Sequence, residues 1–170
     1  MAIVKANYIR RGKTAAKATR QAAKYYTFRD GPDLAQRVWH TSDGRVVLYD
    51  AVQAELAAGA KASAYTYRVV LSTKAVDLGP SGYHQVLTSH FERYAFIEHH
   101  NTEFPHAHVI GFRRQRVKKA ELQALRGKLL ELEQARAQQQ ALGNHVEPHG
   151  SRPSRQERAR DDGLEHGGGD

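Results

Sequence analysis

The sequence contains no cysteine, which excludes disulfide bonds and thiolate metal sites. Any bound metal ion must therefore be held by histidine, aspartate, glutamate or backbone oxygen. No stretch approaches the roughly 20 apolar residues that a membrane-spanning helix needs. The first residues include no apolar run of signal-peptide length. We therefore expect a cytoplasmic bacterial protein that does not interact with membranes.

Acidic residues are also few, at 18 against 26 lysines and arginines in 170 residues, which gives a formal net charge of +8. This balance favours a polyanionic partner such as nucleic acid. The basic residues form two runs that are candidates for DNA phosphate binding. The first run is Arg10, Arg11, Lys13, Lys17, Arg20, Lys24 and Arg29. The second run is Arg113, Arg114, Arg116, Lys118 and Lys119. The two basic runs argue against a further alternative, a metal-binding protein unrelated to DNA.

Hydrophobic periodicity and turn residues predict the secondary structure. Strands are predicted over residues 3–9, 45–49, 65–73, 93–99 and 106–113, with a short extended piece at 37–40. Helices are predicted over 15–28 with Thr14 as N-cap, over 50–58 with Gly59 as the stop, and over 83–92. Because the last two strands form a short hairpin, we expect an α+β fold with a central antiparallel sheet of about five strands flanked by helices.

The C-terminal third begins with a predicted helix over 117–142. Leu122, Leu125, Leu129 and Leu132 follow a 3-4-3 spacing on one face of it. This stripe is interpreted as packing on the domain or, alternatively, as pairing with a partner. Residues from 143 onward are rich in Gly, Pro, Arg and Asp and predict a disordered tail. The expected division is a main domain over 1–116, a helix over 117–142 and a tail over 143–170.

Four of the ten histidines lie between His99 and His108. Side chains alternate along a strand, so His106 and His108 lie on the same face. If the strands 93–99 and 106–113 pair, His99 lies opposite His106, and cross-strand neighbours are about 5 Å apart at Cβ. Three imidazoles at that spacing suit one shared metal ion and leave positions open for phosphate oxygens.

All eight tyrosines precede His106, and the last of them is Tyr94. Tyr25 and Tyr26 end a basic predicted helix. A phenol with a pKa near 10 is a poor nucleophile at neutral pH, but nearby cations favour its phenolate. The alternative is that both rings pack the helix onto the sheet.

Two motifs resemble those of the DNA relaxases, the mobilisation nucleases of the HUH endonuclease superfamily. Tyr26-Thr27-Phe28-Arg29-Asp30-Gly31 is similar to the family's Tyr-x-x-Arg-x-Gly. His99-His100-Asn101-Thr102-Glu103-Phe104-Pro105-His106-Ala107-His108 resembles the family's His-x-Asp-x-x-x-Pro-His-x-His. In HUH replication initiators the nucleophile follows the histidine pair, whereas no tyrosine follows His108 here. The order therefore favours the relaxase arrangement and a relaxase-like fold over residues 1–116.

The resemblance implies a role for each matching residue. Tyr26 would be the nucleophile with Tyr25 in reserve, and Arg29 would hold the DNA backbone. His99, His106 and His108 would bind a divalent ion, Mg or Mn in use, with Zn and Ni as alternatives. The sequence departs from the family at one position, Asn101, where an aspartate is usual. The residues that could supply the missing function are Glu98, His100 and Glu103.

The resemblance also implies an activity. A relaxase nicks one strand of single-stranded DNA at an origin of transfer and forms a 5′-phosphotyrosine intermediate in plasmid mobilisation or conjugation. An accessory mobilisation protein bound through the C-terminal helix is an expected partner. Two alternatives stay open: a replication initiator of the rolling-circle type, and a non-catalytic DNA-binding accessory protein on the same fold.

Overall fold

Six strands form one antiparallel sheet in the computed structural model, which describes residues 1–143. The order across the sheet is β1-β4-β6-β5-β2-β3. The α+β class is confirmed, and the sheet has one strand more than the expected five. The difference arises at the edge, where two short segments pair as β2 and β3. The strands are β1 (Ile3–Arg10), β2 (Trp39–Thr41), β3 (Val46–Val47), β4 (Tyr65–Ser72), β5 (Arg93–His99) and β6 (His106–Arg113).

Four helices cover the sheet, and their ends differ from the predicted ones. Helix α1 (Lys13–Phe28) begins after Gly12, so Thr14 is inside the helix and not its N-cap. Helix α2 (Tyr49–Ala62) continues through Gly59, because that glycine gives room to a ring and does not end the helix. A Cβ atom at Gly59 would lie 2.6 Å from the Phe112 ring. The others are α3 (Gly79–Thr88), which begins four residues earlier than predicted, and α4 (Lys119–Gly143).

The two faces of the sheet carry two separate apolar cores. Helices α1 and α2 cover one face, where the buried side chains of β5 and β6 include Ile97, Ile110 and Phe112. Helices α3 and α4 cover the other face over residues such as Val69 and Phe96. Alternation along each strand separates the two sets. In the described part of the chain, no helix combines the length and apolar character needed to cross a membrane.

Helix α4 belongs to the same folded unit as the sheet. Leu125 and Leu129 are buried in the core over β1, and Leu122 and Leu132 are half-buried beside them. The buried carboxylate of Glu133 accepts hydrogen bonds from the backbone N–H groups of residues 74 and 75, at 2.6 and 2.9 Å. The leucine stripe is thus used inside the chain, and a partner of α4 would have to bind its outer face. The predicted tail beyond residue 143 lies outside the described residues.

Candidate active site

The hairpin of β5 and β6 brings three histidines together on the face that α1 covers. The register pairs His99 directly with His106, and His108 follows two residues later on the same side of β6. Their ring centroids lie 4.7 to 5.4 Å from one another. One donor nitrogen of each ring lies within 4.8 Å of the other two. His106 and His108 lie on β6 between β4 and β5 and are paired on both sides, whereas His99 is paired with β6 alone.

The triad is buried and uncharged at neutral pH. Burial lowers the pKa of all three imidazoles, to about 4 for His99 and about 3 for His108. Neutral imidazoles keep the lone pairs that a metal ion requires. Each imidazole can therefore bind a metal ion at pH 7 without first losing a proton.

Unsatisfied nitrogen atoms show that the triad fits a metal ion. Within residues 1–143, neither ring nitrogen of His99 or His108 has a hydrogen-bond partner, although these atoms are buried. Such atoms are costly to leave unpaired, and an ion bound between the rings would satisfy one on each. Nδ1 of His106 lies 3.2 Å from the Phe104 carbonyl oxygen. Donation to that carbonyl leaves Nε2 of His106 as the metal-binding atom.

Tyr26 contacts the triad from the last turn of α1. Its ring stacks on that of His108, with centroids 4.1 Å apart and planes 15° from parallel. Burial raises the pKa of the Tyr26 phenol, and the charge of Arg68 acts in the opposite direction and lowers it. The phenol is therefore protonated at neutral pH in the absence of an ion.

Tyr25 and Arg29 lie outside this contact. The Tyr25 side chain is 58% exposed, and its ring centroid is 6.1 Å from that of Tyr26. The Arg29 guanidinium carbon lies 5.6 Å from the centre of the Tyr25 ring. Of the two candidate nucleophiles, the structure brings Tyr26 to the histidines and leaves Tyr25 at the surface.

A buried ion pair that the sequence analysis missed connects the end of α1 to the end of β5. Nη1 of Arg37 donates to the carbonyl oxygens of Thr27 and Arg29, and Nη2 donates to Oδ1 of Asp33 at 2.7 Å. Oδ2 of Asp33 accepts the N–H of His100 at 2.8 Å. Arg37 also neutralises the negative end of the α1 dipole close to Tyr26. The network therefore fixes the segment after Tyr26 against the segment after His99.

Gly31 of the tyrosine motif is explained by this network. A Cβ atom there would lie 2.6 Å from Nη2 of Arg37, 2.9 Å from Oδ1 of Asp33 and 3.0 Å from Cβ of Asn101. The position thus has no room for a side chain while the ion pair is formed.

The residues expected to replace the missing aspartate lie elsewhere. Glu98 faces the opposite side of the sheet, where burial and the charge of Asp77 raise its pKa to about 7. His100 pairs with Asp77 at 2.8 Å, and donor atoms of Asp77, Glu98 and His100 form a second group within 4.8 Å. Glu103 is exposed in the loop before β6.

The carboxylate that acts on the triad is Asp33. Burial alone would raise its pKa, but the hydrogen bonds from Arg37 and from the His100 N–H lower it to about 2. The negative charge of Asp33 raises the pKa of the His99 and His106 imidazoles and so opposes the lowering by burial. Oδ1 of Asn101 itself is buried and has no hydrogen-bond partner in the described part of the chain. The spacing of four residues between Asp33 and Arg37 was the available signal in the sequence.

The two basic runs meet at the end of the sheet far from the triad, and only the first run extends from there to Tyr26. Lys17, Arg20 and Lys24 are exposed along α1, which leads from the far end of the sheet to Tyr26. Arg10, Arg11 and Lys13 lie at that far end. The second run follows β6, so about 20 Å of strand separates it from His106. There Arg113 pairs with Glu121 at 2.7 Å, Arg114 lies near Glu92, and Arg116 stacks over Tyr8.

Arg68 is a further residue near the site that the sequence analysis did not select. It lies on β4 on the same face as the triad, and its Nε atom is buried without a hydrogen-bond partner. A single cation inside the predicted strand 65–73 was the signal that pointed to it.

Comparison with known proteins gives no family assignment. A scan against protein-family models, a search of curated proteins and a search of solved structures find no match to this chain.

Proposed function

We propose that the protein is a metal-dependent endonuclease that nicks and rejoins single-stranded DNA through Tyr26, in the manner of a relaxase at an origin of transfer. One observation carries the proposal: the Tyr26 ring stacks on His108, one of three buried, neutral and convergent imidazoles. A phenol in contact with a metal-binding triad suits nucleophilic attack on a phosphodiester. The resemblance of the two motifs to the relaxases supports the same reaction.

The proposed ion is held by His99, His106 and His108. A divalent ion bound there would act as a Lewis acid toward the oxygens of the scissile phosphate. Three neutral ligands leave its whole positive charge available to the substrate. Arg68 provides a second cation on the same face, and its charge favours the Tyr26 phenolate.

The chemical step is a transesterification. The Tyr26 oxygen forms a bond to phosphorus as the bond from phosphorus to the 3′ oxygen breaks. The phenolic proton is released to solvent, and the leaving 3′ oxygen takes up a proton to become a hydroxyl. The product is a 5′-phosphotyrosine, and the number of phosphoester bonds is unchanged. Attack by the 3′-hydroxyl reverses the step, so rejoining needs no nucleotide cofactor.

The test is covalent attachment to DNA. Purified protein is incubated with a supercoiled plasmid that carries the DNA flanking its gene, and with single strands from that region. The wild type is expected to give an adduct that survives SDS, and Tyr26→Phe is expected to give none while DNA binding remains. Tyr49→Phe serves as the matched control. Tyr49 on α2 is a partly buried tyrosine that packs against the same core as Tyr26.

The role of the triad has a readout of its own. Co²⁺ binding, measured by visible absorption, is expected in the wild type and is expected to be lost in His108→Ala, whether or not DNA is present.

Two outcomes would change the proposal. An adduct formed by Tyr26→Phe but not by Tyr25→Phe would make Tyr25 the nucleophile. Nicking that persists in EDTA would overturn the metal requirement.

Asn101 favours one alternative function. The relaxase aspartate is absent, and the amide oxygen in its place is unpaired. A DNA-binding accessory protein that does not cut would keep the fold and lose the chemistry. It would bind the origin DNA and give no adduct with any strand. A rolling-circle initiator would give the adduct, with plasmid copy number and not transfer as the affected process.

A further inference from the structure

Two aromatic side chains are exposed beside the proposed nucleophile. All eight tyrosines, five phenylalanines and the single tryptophan of the chain lie in the described residues. Only Tyr25 and Phe28 among them are exposed, at 58% and 53%. They flank Tyr26 and Thr27 in the last turn of α1. Exposed rings next to a reactive site are typical of ligand contacts.

The two rings lie on one surface and are supported from behind. Gln21, Lys24, Tyr25 and Phe28 follow each other at helical spacing and line a shallow groove, which Arg29 closes. The Phe28 ring packs edge-to-face on Tyr49 of α2, with centroids 5.0 Å apart. The Tyr25 ring has Tyr26 as an edge-on neighbour, and the Arg29 guanidinium lies over it. The rings are therefore held in place before any ligand arrives, which lowers the entropy cost of stacking on them.

The charge around the groove identifies the class of ligand. Helix α1 carries Lys13, Lys17, Arg20 and Lys24 and not one aspartate or glutamate. Aromatic faces between cations match a single-stranded nucleic acid, whose bases stack while its phosphates pair with lysine and arginine. In a duplex the base faces are covered by neighbouring pairs, so only its phosphates could bind here.

We infer that Tyr25 and Phe28, which we name the stacking platform, bind unpaired bases next to the scissile phosphate. This inference rests on the proposed function, because Tyr26 fixes where the strand must pass. The platform gives the site its preference for single-stranded over duplex DNA. Lys24 and Arg29 bind the phosphates of the nucleotides that stack.

The experiment measures binding without cleavage. A mixed-sequence single strand containing 2-aminopurine is titrated in EDTA, and its fluorescence and anisotropy are recorded beside those of the matching duplex. Tyr25→Ala and Phe28→Ala are each expected to weaken single-strand binding about tenfold, with loss of 2-aminopurine quenching. Duplex binding is expected to change less than about twofold, because phosphate contacts are kept.

Three further variants separate stacking from other effects. Phe28→Tyr keeps an aromatic face and is expected to bind like the wild type. Phe28→Leu keeps apolar area and helix structure and is expected to bind like Phe28→Ala. Leu142→Ala removes an apolar side chain that is still more exposed, at 70%, near the end of α4, and is expected to have no effect.

Each outcome decides for or against the platform. Equal losses for single strand and duplex, or normal binding by both alanine variants, would overturn it even if the wild type nicks DNA. Aromatic-dependent binding by a wild type that never forms an adduct would support the platform and overturn the nicking proposal alone. A wild type that binds no single strand would overturn both.

Discussion

At the residue scale, the pKa of Tyr26, and with it the reactivity proposed for this side chain, depends on a balance between burial and the charge of Arg68. Burial raises the pKa of the phenol, and Arg68 lowers it. Replacing Arg68 with glutamine removes the favourable charge, so the pKa of Tyr26 rises and less phenolate is present at neutral pH. We expect Arg68→Gln to reduce the nicking rate at pH 7.5 in proportion to the fraction of phenolate that is lost.

The pH profile of single-turnover nicking distinguishes this role from a structural one. In Arg68→Gln the rising limb is expected to move to higher pH, so that the defect shrinks as the solution becomes alkaline. Arg68→Lys keeps the charge and is expected to restore the wild-type profile. A uniform loss of rate at every pH would contradict the electrostatic role.

Asp33 links the stability of the fold to acid. Its pKa is about 2 in the folded chain, below its usual value of 3.8. A lowered carboxylate pKa contributes stability above pH 3.8 that is lost as the pH falls toward 2. Asp33→Asn leaves Arg37 buried without its counterion, and we expect it to cost about 3 kcal/mol at pH 7. Urea unfolding from pH 7 to pH 2 is the measurement, and the difference from wild type is expected to shrink below about pH 4.

Asp43→Asn is the matched control for Asp33. Asp43 also pairs with a nearby arginine, Arg45, but both side chains are about half exposed. Water screens that pair, so its loss is expected to change stability far less. A cost for Asp33→Asn no greater than for Asp43→Asn would show that the buried network does not hold the site together.

At the element scale, the end of α1 is positioned by side chains rather than by the sheet. Gly31→Ala places a methyl group against the Arg37 guanidinium. This group is hydrogen-bonded to Thr27 and Asp33, so it cannot move aside without breaking those bonds. We expect a loss of about 1–3 kcal/mol. Faster hydrogen exchange of the Arg29 amide, which bonds to the Tyr25 carbonyl, is expected with it.

Gly127 offers the opposite case on α4. Nothing lies within 4 Å of a Cβ atom there. Gly127→Ala is therefore expected to raise stability by about 1 kcal/mol through helix propensity. Destabilisation of similar size in both variants would mean that close approach to Arg37 is not the cause at Gly31.

The hairpin of the triad could be predicted because its signals are local. Alternation, β-branched residues and a polar loop lie within one stretch of sequence, and β5 and β6 have the predicted bounds. The N–H of His100 and the carboxylate of Asp33 are 67 residues apart, and nothing local links them. The prediction that Gly59 ends α2 was wrong for the same reason, since the ring that requires its small size belongs to β6.

At the scale of the whole molecule, α4 completes the core. Leu125→Ala leaves a cavity over β1 and is expected to cost about 2–5 kcal/mol. Leu130→Ala on the same helix changes a side chain that is 37% exposed and is expected to have little effect. Urea unfolding of both variants is the measurement. Equal stability of the two would return the leucine stripe to the role of a partner-binding surface.

The overall class followed from composition and periodicity. The leucine stripe after residue 116 predicted packing on the domain, but the hydrogen bonds that Glu133 accepts from the backbone at residues 74 and 75 had no signal in the sequence. Only the three-dimensional packing shows that the final helix and the sheet share one core.

The anchoring of α1 has a mechanical consequence. A DNA strand joined to Tyr26 and pulled from outside would load the final turn of this helix. The tension would pass through the Arg37 guanidinium into the segment before β2. It would also pass into β2 itself through the hydrogen bond that the Trp39 indole donates to Oγ1 of Thr27, at 2.9 Å. β2 is hydrogen-bonded to strands on both sides. Force applied at Tyr26 would thereby be shared by the sheet, and the last turn of α1 would resist being pulled away from it.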